Sequence, residues 1–357
     1  MLNLKDGISQ SREQLKEEID KVIYFETEIN YDNIPGFTIG VILKDSTFVY
    51  NFGKPSKNKT NELTSAAHFE IGSVTKVFTS SLISVLADEG LMSFDDPFNS
   101  YLPANFQNNR LKEMTIRDLV QHTAGFPRMP VDFGTHEKEL NNPYAYYSKE
   151  ALMEFYKKFR PIPLGKKDSE YNYSNVNYAL LEIAIENATG KSYSEVLKEK
   201  ILEPSEMLNT FSPSHLGMDS LLIQGYSRTG SEAMPWKFQS FTASQGLRSN
   251  VDDLLTFLKM QMDLKKTPYD SLFNLNTTRA INTGHSKNAF MGNGWHIIQL
   301  KKYYDVILHS GSTAGHRAFI GFVKETQTGV VILSNSEHAT SGLGYLILRL
   351  INFNWKK

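Results

Sequence analysis

The chain has 357 residues, of which 40% are hydrophobic and 22% charged, and its 38 basic and 39 acidic side chains leave a formal net charge of −1. That balance gives no electrostatic footprint for nucleic acid or an anionic membrane surface, and the absence of cysteine excludes disulfides, thiolate catalysis and zinc–thiolate sites. The length exceeds the roughly 100–200 residues of a typical domain, so one large domain with an insertion, or two domains, is expected.

No stretch approaches the roughly 20 apolar residues of a membrane span. The first twenty residues, MLNLKDGISQSREQLKEEID, lack the apolar core of a signal peptide. Leu15, Ile19, Val22 and Ile23 recur at helical spacing and predict an opening amphipathic helix. Residues 37–43 (FTIGVIL) and 47–52 (TFVYNF) read as strands joined by the polar Lys44-Asp45-Ser46. From about residue 73 to 263 helical signals dominate. Thr115-x-x-Asp118, Ser192-x-x-Glu195 and Ser249-x-x-Asp252 are capping-box-like starts, and Gly90 and Gly190 are placed to stop helices. Strand-like runs return at 306–308, 318–323 and 330–333, the last two joined by a turn at 325–329, and 341–352 reads as a closing helix.

Tight hairpins at both ends of the chain favour antiparallel pairing. The expected fold class is therefore α/β (α+β): an antiparallel β-sheet flanked by N- and C-terminal helices, with an inserted, mostly helical subdomain. Residues 1–72 and 264–357 are assigned to the sheet, and residues 73–263 to the insert, which opens at Ser73.

Three short segments carry chemistry. In Phe69-Glu-Ile-Gly-Ser-Val-Thr-Lys76, Ser73 starts an apolar helix containing Val77, Phe78, Leu82, Ile83, Val85 and Leu86, and Lys76 follows three residues later on the same face. A serine hydroxyl needs a base to take its proton. A lysine serves if burial or a nearby cation lowers its pKa, and the positive end of the helix favours the developing anion. Ser56-Lys-Asn-Lys59 matches the same pattern but lies in a polar loop with no apolar helix after it. In the second segment, Tyr173-Ser174-Asn175 precedes the apolar run 178–185. Tyr173 can exchange protons with the serine or the leaving group, and the Asn175 amide can bind a substrate amide or orient Lys76. In the third, His309-Ser310-Gly311-Ser312 ends a strand. The glycine lets another backbone approach closely, and free N–H groups on an edge strand can bind an extended acyl chain and an oxyanion.

The order of these segments, S-x-x-K, Y-x-N, H-x-G, resembles that of the class C β-lactamase and D-alanyl-D-alanine carboxypeptidase superfamily, and Ser-Val-Thr-Lys, Tyr-Ser-Asn and His-x-Gly are most similar to its serine DD-peptidases. Resemblance extends to Asp95-Asp-Pro97 and Thr115-Ile-Arg-Asp-Leu-Val-Gln-His-Thr-Ala-Gly125. It implies an acyl-enzyme on Ser73, acid–base duties shared between Lys76 and Tyr173, and a substrate-amide contact from Asn175. It also implies a substrate strand lined by His309, Ser310, Gly311 and Ser312, and an oxyanion hole from the backbone N–H groups of Ser73 and Ser312. Which of Lys76 and Tyr173 takes the first proton stays open, since the two titrate as a coupled pair. No cofactor or metal is implied. The implied partner is a small peptide, amide, ester or β-lactam substrate, met outside the cytoplasmic membrane.

Two departures bear on the substrate. His309 stands where a β-lactamase of this class has lysine, and Gln245 replaces the first of paired glycines before Leu247-Arg-Ser-Asn-Val-Asp-Asp253. A peptide or amide related to D-alanyl-D-alanine is the leading expectation, with esterase or β-lactamase action of the same fold as the alternative and a penicillin-binding sensor as the non-enzymatic one. Metal hydrolysis lacks an H-E-x-x-H segment, and an α/β-hydrolase lacks its G-x-S-x-G elbow. Trp236, Phe238 and Phe241 are candidate cleft-lining aromatics. Nothing in the sequence specifies an oligomeric state.

Overall fold

A computed structural model describes residues 4–27, 29, 34–135, 142–161, 171–213, 221–300, 304–338 and 341–354. Helix α1 (Leu4–Glu26) buries Leu15, Ile19 and Val22, as their spacing of three and four requires. Strands β1 (Gly36–Leu43) and β2 (Ser46–Gly53) form the expected hairpin, paired from Gly36↔Gly53 to Leu43↔Ser46.

The central part of the chain is mostly helical: a short β3 (Phe69–Glu70), α2 (Thr75–Asp88), α3 (Ile116–Val120), α4 (Lys149–Lys158), α5 (Asn175–Thr189) and α6 (Tyr193–Leu197). The short strands β4 (Gly225–Tyr226) and β5 (Glu232–Ala233) follow, then α7 (Thr242–Gln245), β6 (Arg248–Ser249) and α8 (Val251–Gln261). Reciprocal capping boxes start α3 at Thr115–Asp118 and α6 at Ser192–Glu195. The third expected cap moves by one residue. Ser249 is held in β6, with its hydroxyl on Thr210 at 2.8 Å, so the Asn250 side chain caps α8 through the Asp253 N–H at 3.0 Å. Helix α5 ends where Gly190 turns left-handed.

The late strands are β7 (Ile281–Asn282), β8 (Ala289–Met291), β9 (His296–Leu300), β10 (Tyr304–Ser312), β11 (Arg317–Val323) and β12 (Thr328–Ser334), and α9 (Ser341–Arg349) closes the chain. The sequence reading passes over β7 to β9, which are short and half-exposed. Among the described residues one eight-stranded antiparallel sheet runs β2-β1-β12-β11-β10-β9-β8-β7, so the first and last hairpins meet at β1–β12.

Both faces of the sheet are covered. Val330 and Ile332 face one apolar cluster with Phe37, Leu15, Ile19 and Ile347 from the terminal helices. Val331 and Leu333 face another with Phe78, Leu82, Leu180 and Leu258 from the helical part. This double burial makes β12 apolar throughout rather than alternating. Helix α8, the last element of the expected insert, packs on β1 and β12.

Candidate active site

Ser73 lies not in α2 itself but in the single 3-10 turn Gly72–Val74 just before it. The turn is stitched down by Ile71 N–H to Leu247 O at 3.1 Å and by Leu247 N–H to the Thr75 hydroxyl at 3.1 Å. It also presses against the end of β10. A Cβ on Gly72 (φ 51°) would sit 2.6 Å from the Ser312 nitrogen, and one on Gly311 would sit 1.8 Å from the Ile71 oxygen. Only glycine permits the two backbones to come this close.

Lys76 is wholly buried, whereas Ser73 keeps 8% of its surface exposed. The Lys76 Nζ lies 3.1 Å from Ser73 Oγ and donates to Asn175 Oδ1 and the Ser244 carbonyl, each at 2.9 Å. No carboxylate among the described residues pairs with it. Burial, helped by the Arg128 charge, pulls its pKa well below the ordinary lysine value. A neutral amine has two N–H donors and one lone pair. With the two carbonyl-type oxygens taking the N–H groups, the lone pair is left for the Ser73 hydroxyl proton.

Tyr173 sits against the same pair. Its ring centre is 5.1 Å from the Lys76 Nζ, and burial pushes its pKa up to about 12 against the lowering influence of Ser73 and the Arg128 charge. The exposed Arg128 guanidinium lies 5.1 Å from the centre of the same ring. Asn175 opens α5. Its oxygen is taken by Lys76, and its NH₂ faces the Met129 sulfur at 3.3 Å, so that NH₂ is the group left for a substrate carbonyl.

The third segment divides by strand alternation. His309 and Gly311 lie on the sheet face towards Ser73, while Ser310 and Ser312 turn their side chains to the opposite face, with Ser310 exposed. Thr313 N–H donates to His316 O at 3.0 Å. Antiparallel alternation then gives the backbone groups of His309 and Gly311 to β11 and directs those of Ser310 and Ser312 the other way. There β9 stops, at His296 opposite Leu308. Strand β10 is therefore interior to the sheet, yet residues 309–312 have a free edge beside Ser73. Ser310 and Ser312 offer backbone, not hydroxyls, to whatever binds there.

His309 is buried, with Nδ1 on the Ser310 carbonyl at 2.9 Å. Burial, with His296 and Lys76 nearby, pulls its pKa well below normal, so the imidazole is neutral. Gln245 is buried. Phe241 is core, whereas Trp236 and Phe238 are half-buried around Tyr144.

The sequence reading gave no role to His122 or His296. His122 has a left-handed backbone (φ 60°) and a fully buried ring 4.5 Å from Tyr173. Its Nδ1 accepts the Ser174 N–H at 3.1 Å and its carbonyl accepts the Asn172 N–H at 2.9 Å, which together fix the loop carrying Tyr173. The His296 ring lies tilted 5.1 Å from that of His309, with its pKa lowered to about 4 by burial and by the neighbouring His285 and Lys76.

The fold is that of the class C β-lactamases. A class C β-lactamase superposes with a TM-score of 0.82 at 19% identity, covering 96% of this chain and 98% of that one. A β-lactamase/D-alanine carboxypeptidase from Pseudomonas syringae gives 0.78 at 20%, covering 94% and 97%. The Beta-lactamase family profile matches residues 25–349, and the chain belongs to that family of serine hydrolase fold. Among curated relatives, Protein flp of Staphylococcus aureus (strain N315) is 26% identical over 94% of this chain and 67% of its own length. A β-lactamase of Pseudomonas fluorescens is 22% identical over 91% and 94%. No helix among the described residues is long and apolar enough to cross a membrane.

Proposed function

We propose that the protein is a serine hydrolase that forms an acyl-enzyme on Ser73 with peptides or amides related to D-alanyl-D-alanine. The observation that carries this reading is the buried, carboxylate-free Lys76 amine 3.1 Å from the Ser73 hydroxyl. Lys76 in its neutral form takes the Ser73 proton. Tyr173 keeps its own proton at neutral pH, its pKa being raised to about 12, and so suits proton delivery to the leaving group rather than first abstraction. The Asn175 NH₂ and the free backbone edge at Ser310 and Ser312 hold an extended acyl chain, and the N–H groups of Ser73 and Ser312 receive the oxyanion.

The neutral His309 supports a peptide or ester over a β-lactam as the turned-over substrate, because it supplies no fixed cation where a β-lactamase of this class has lysine. Esterase action is the second reading on the same ground. On this reading the protein acts outside the cytoplasmic membrane. Its site lies at the seam between a sheet domain (1–72 and 264–357) and a helical domain (73–263).

Intact-protein and peptide mass spectrometry after exposure to a penicillin or an activated ester tests the nucleophile. An adduct that survives Ser73→Ala overturns it. Rates on a D-Ala-D-Ala peptide, a p-nitrophenyl ester and a chromogenic cephalosporin then rank the substrates, and an adduct formed without turnover of any of them identifies a sensor.

A further inference from the structure

Three residues before Ser73, the chain buries a carboxylate that the proposed chemistry does not use. Glu70 keeps only 4% of its surface exposed. Its Oε1 accepts the Trp236 N–H at 2.8 Å and lies 3.7 Å from an Arg248 guanidinium nitrogen. Its Oε2 lies 3.4 Å from the His316 Nδ1. Burial pushes the Glu70 carboxyl up, but His316, Thr313 and the Trp236 N–H outweigh it and hold it ionised, below its ordinary value.

The partners matter because of where they sit. Glu70 is on β3, leading into the turn that carries Ser73. Thr313 and His316 form the β10–β11 turn that directly follows Ser312, and that turn is closed by Thr313 N–H to His316 O at 3.0 Å. The two sides press together at Gly72 and Ser312 and at Ile71 and Gly311.

We propose that Glu70 is a positioning residue for the oxyanion hole: its carboxylate ties the Ser73 turn to the Thr313–His316 turn and so sets the spacing between the Ser73 and Ser312 N–H groups. The proposal rests on acylation at Ser73. Trp236, held by the same carboxylate, extends the tie to the aromatic wall formed with Tyr144.

Glu70→Gln puts an amide NH₂ against donors, and His316→Gln removes one contact of the tie while leaving the carboxylate in place. The probe is a pair of activated esters with the same acyl group, one oxo and one thiono. Sulfur is the poorer acceptor in a site built for oxygen, so the oxo/thiono rate ratio reports the hole directly. Losing a whole oxyanion donor costs about 10²–10³-fold in kcat, and a displaced one costs a fraction of that. Glu70→Gln is expected to slow saturating single-turnover acylation by the oxo ester about 10-fold at unchanged half-saturation, and to lower the oxo/thiono ratio by a similar factor. His316→Gln is expected to do the same to a smaller extent.

A wild-type ratio in both variants, with rates falling only in step with the fraction of Ser73 that can be titrated, overturns the proposal and leaves Glu70 a structural residue. If Glu70→Gln does not fold, the His316→Gln ratio decides alone. No adduct on Ser73 in the unmodified protein is a different result. It removes the serine-hydrolase reading, and the positioning role with it.

Discussion

The chain contains the pattern S-x-x-K twice between Ser56 and Lys76, and the two copies end up in opposite surroundings. Ser56 and Lys59 lie in a polar turn after β2, with Lys59 exposed. The Ser56 hydroxyl and the Lys57 N–H are both spent on the buried Tyr226 hydroxyl, at 3.1 and 2.9 Å. Ser73 and Lys76 straddle the start of a helix buried from Thr75 to Leu86, and the lysine has lost water without gaining a carboxylate among the described residues. Spacing supplies only contact between the two side chains. Under the proposed function, reactivity comes from desolvation, which makes the amine a base by denying it the charged form.

Four experiments break or sharpen that contrast. Ser73→Ala is expected to abolish labelling by an activated ester, while Ser56→Ala leaves it unchanged; intact mass after incubation separates them. Lys76→Ala is expected to slow acylation by about 10²–10⁴-fold, the usual worth of a general base, whereas Lys59→Ala stays within about twofold of the unmodified rate. Wild-type speed in Lys76→Ala would take the lysine out of the mechanism.

The pH profile is the third. The folded pKa of Lys76 is lowered, and only its neutral form abstracts a proton. Acylation should rise with pH through the lowered pKa and level off well below the ordinary lysine range. The same shift means that the unfolded chain binds this proton more readily. Lys76 therefore costs no stability above the ordinary lysine pKa, and its cost grows as the pH falls towards the lowered value. A rate still climbing through the ordinary lysine range would show that the amine is not depressed. The smallest effect is Tyr226→Phe. It should cost about 1 kcal/mol in denaturant unfolding by stranding the Lys57 N–H, with no change in acylation, as befits a turn whose serine is structural.

Much of the fold was legible because burial left a local mark. Strands β1, β11 and β12 are covered on both faces and read as apolar runs, and the boxes at Thr115 and Ser192 are complete within four residues. Strands β7 to β9 are short and half-exposed, so their composition carries no such mark. Ser249 misled because its hydroxyl found a distant partner in Thr210.

In the site, Ser73, Lys76, Tyr173 and Asn175 converge as their segments suggested. Ser310 and Ser312 turn their side chains to the opposite sheet face, a placement no local pattern announces, since the face of a strand residue depends on what covers the sheet. His122 was unreadable for a similar reason. Its ring matters through the Ser174 N–H, 52 positions away. Glu70, between Phe69 and Ile71, looks like any strand-end carboxylate until Trp236, Arg248 and His316 close over it.

The contact between Gly311 and the Ile71 carbonyl also has a bearing on assembly. Moving β10 by one residue along β11 would bring Ser310 or Ser312 to the place where a Cβ meets that oxygen at 1.8 Å, and would invert every side chain of the strand between the two covered faces. A mispaired sheet therefore cannot seat the Ser73 turn.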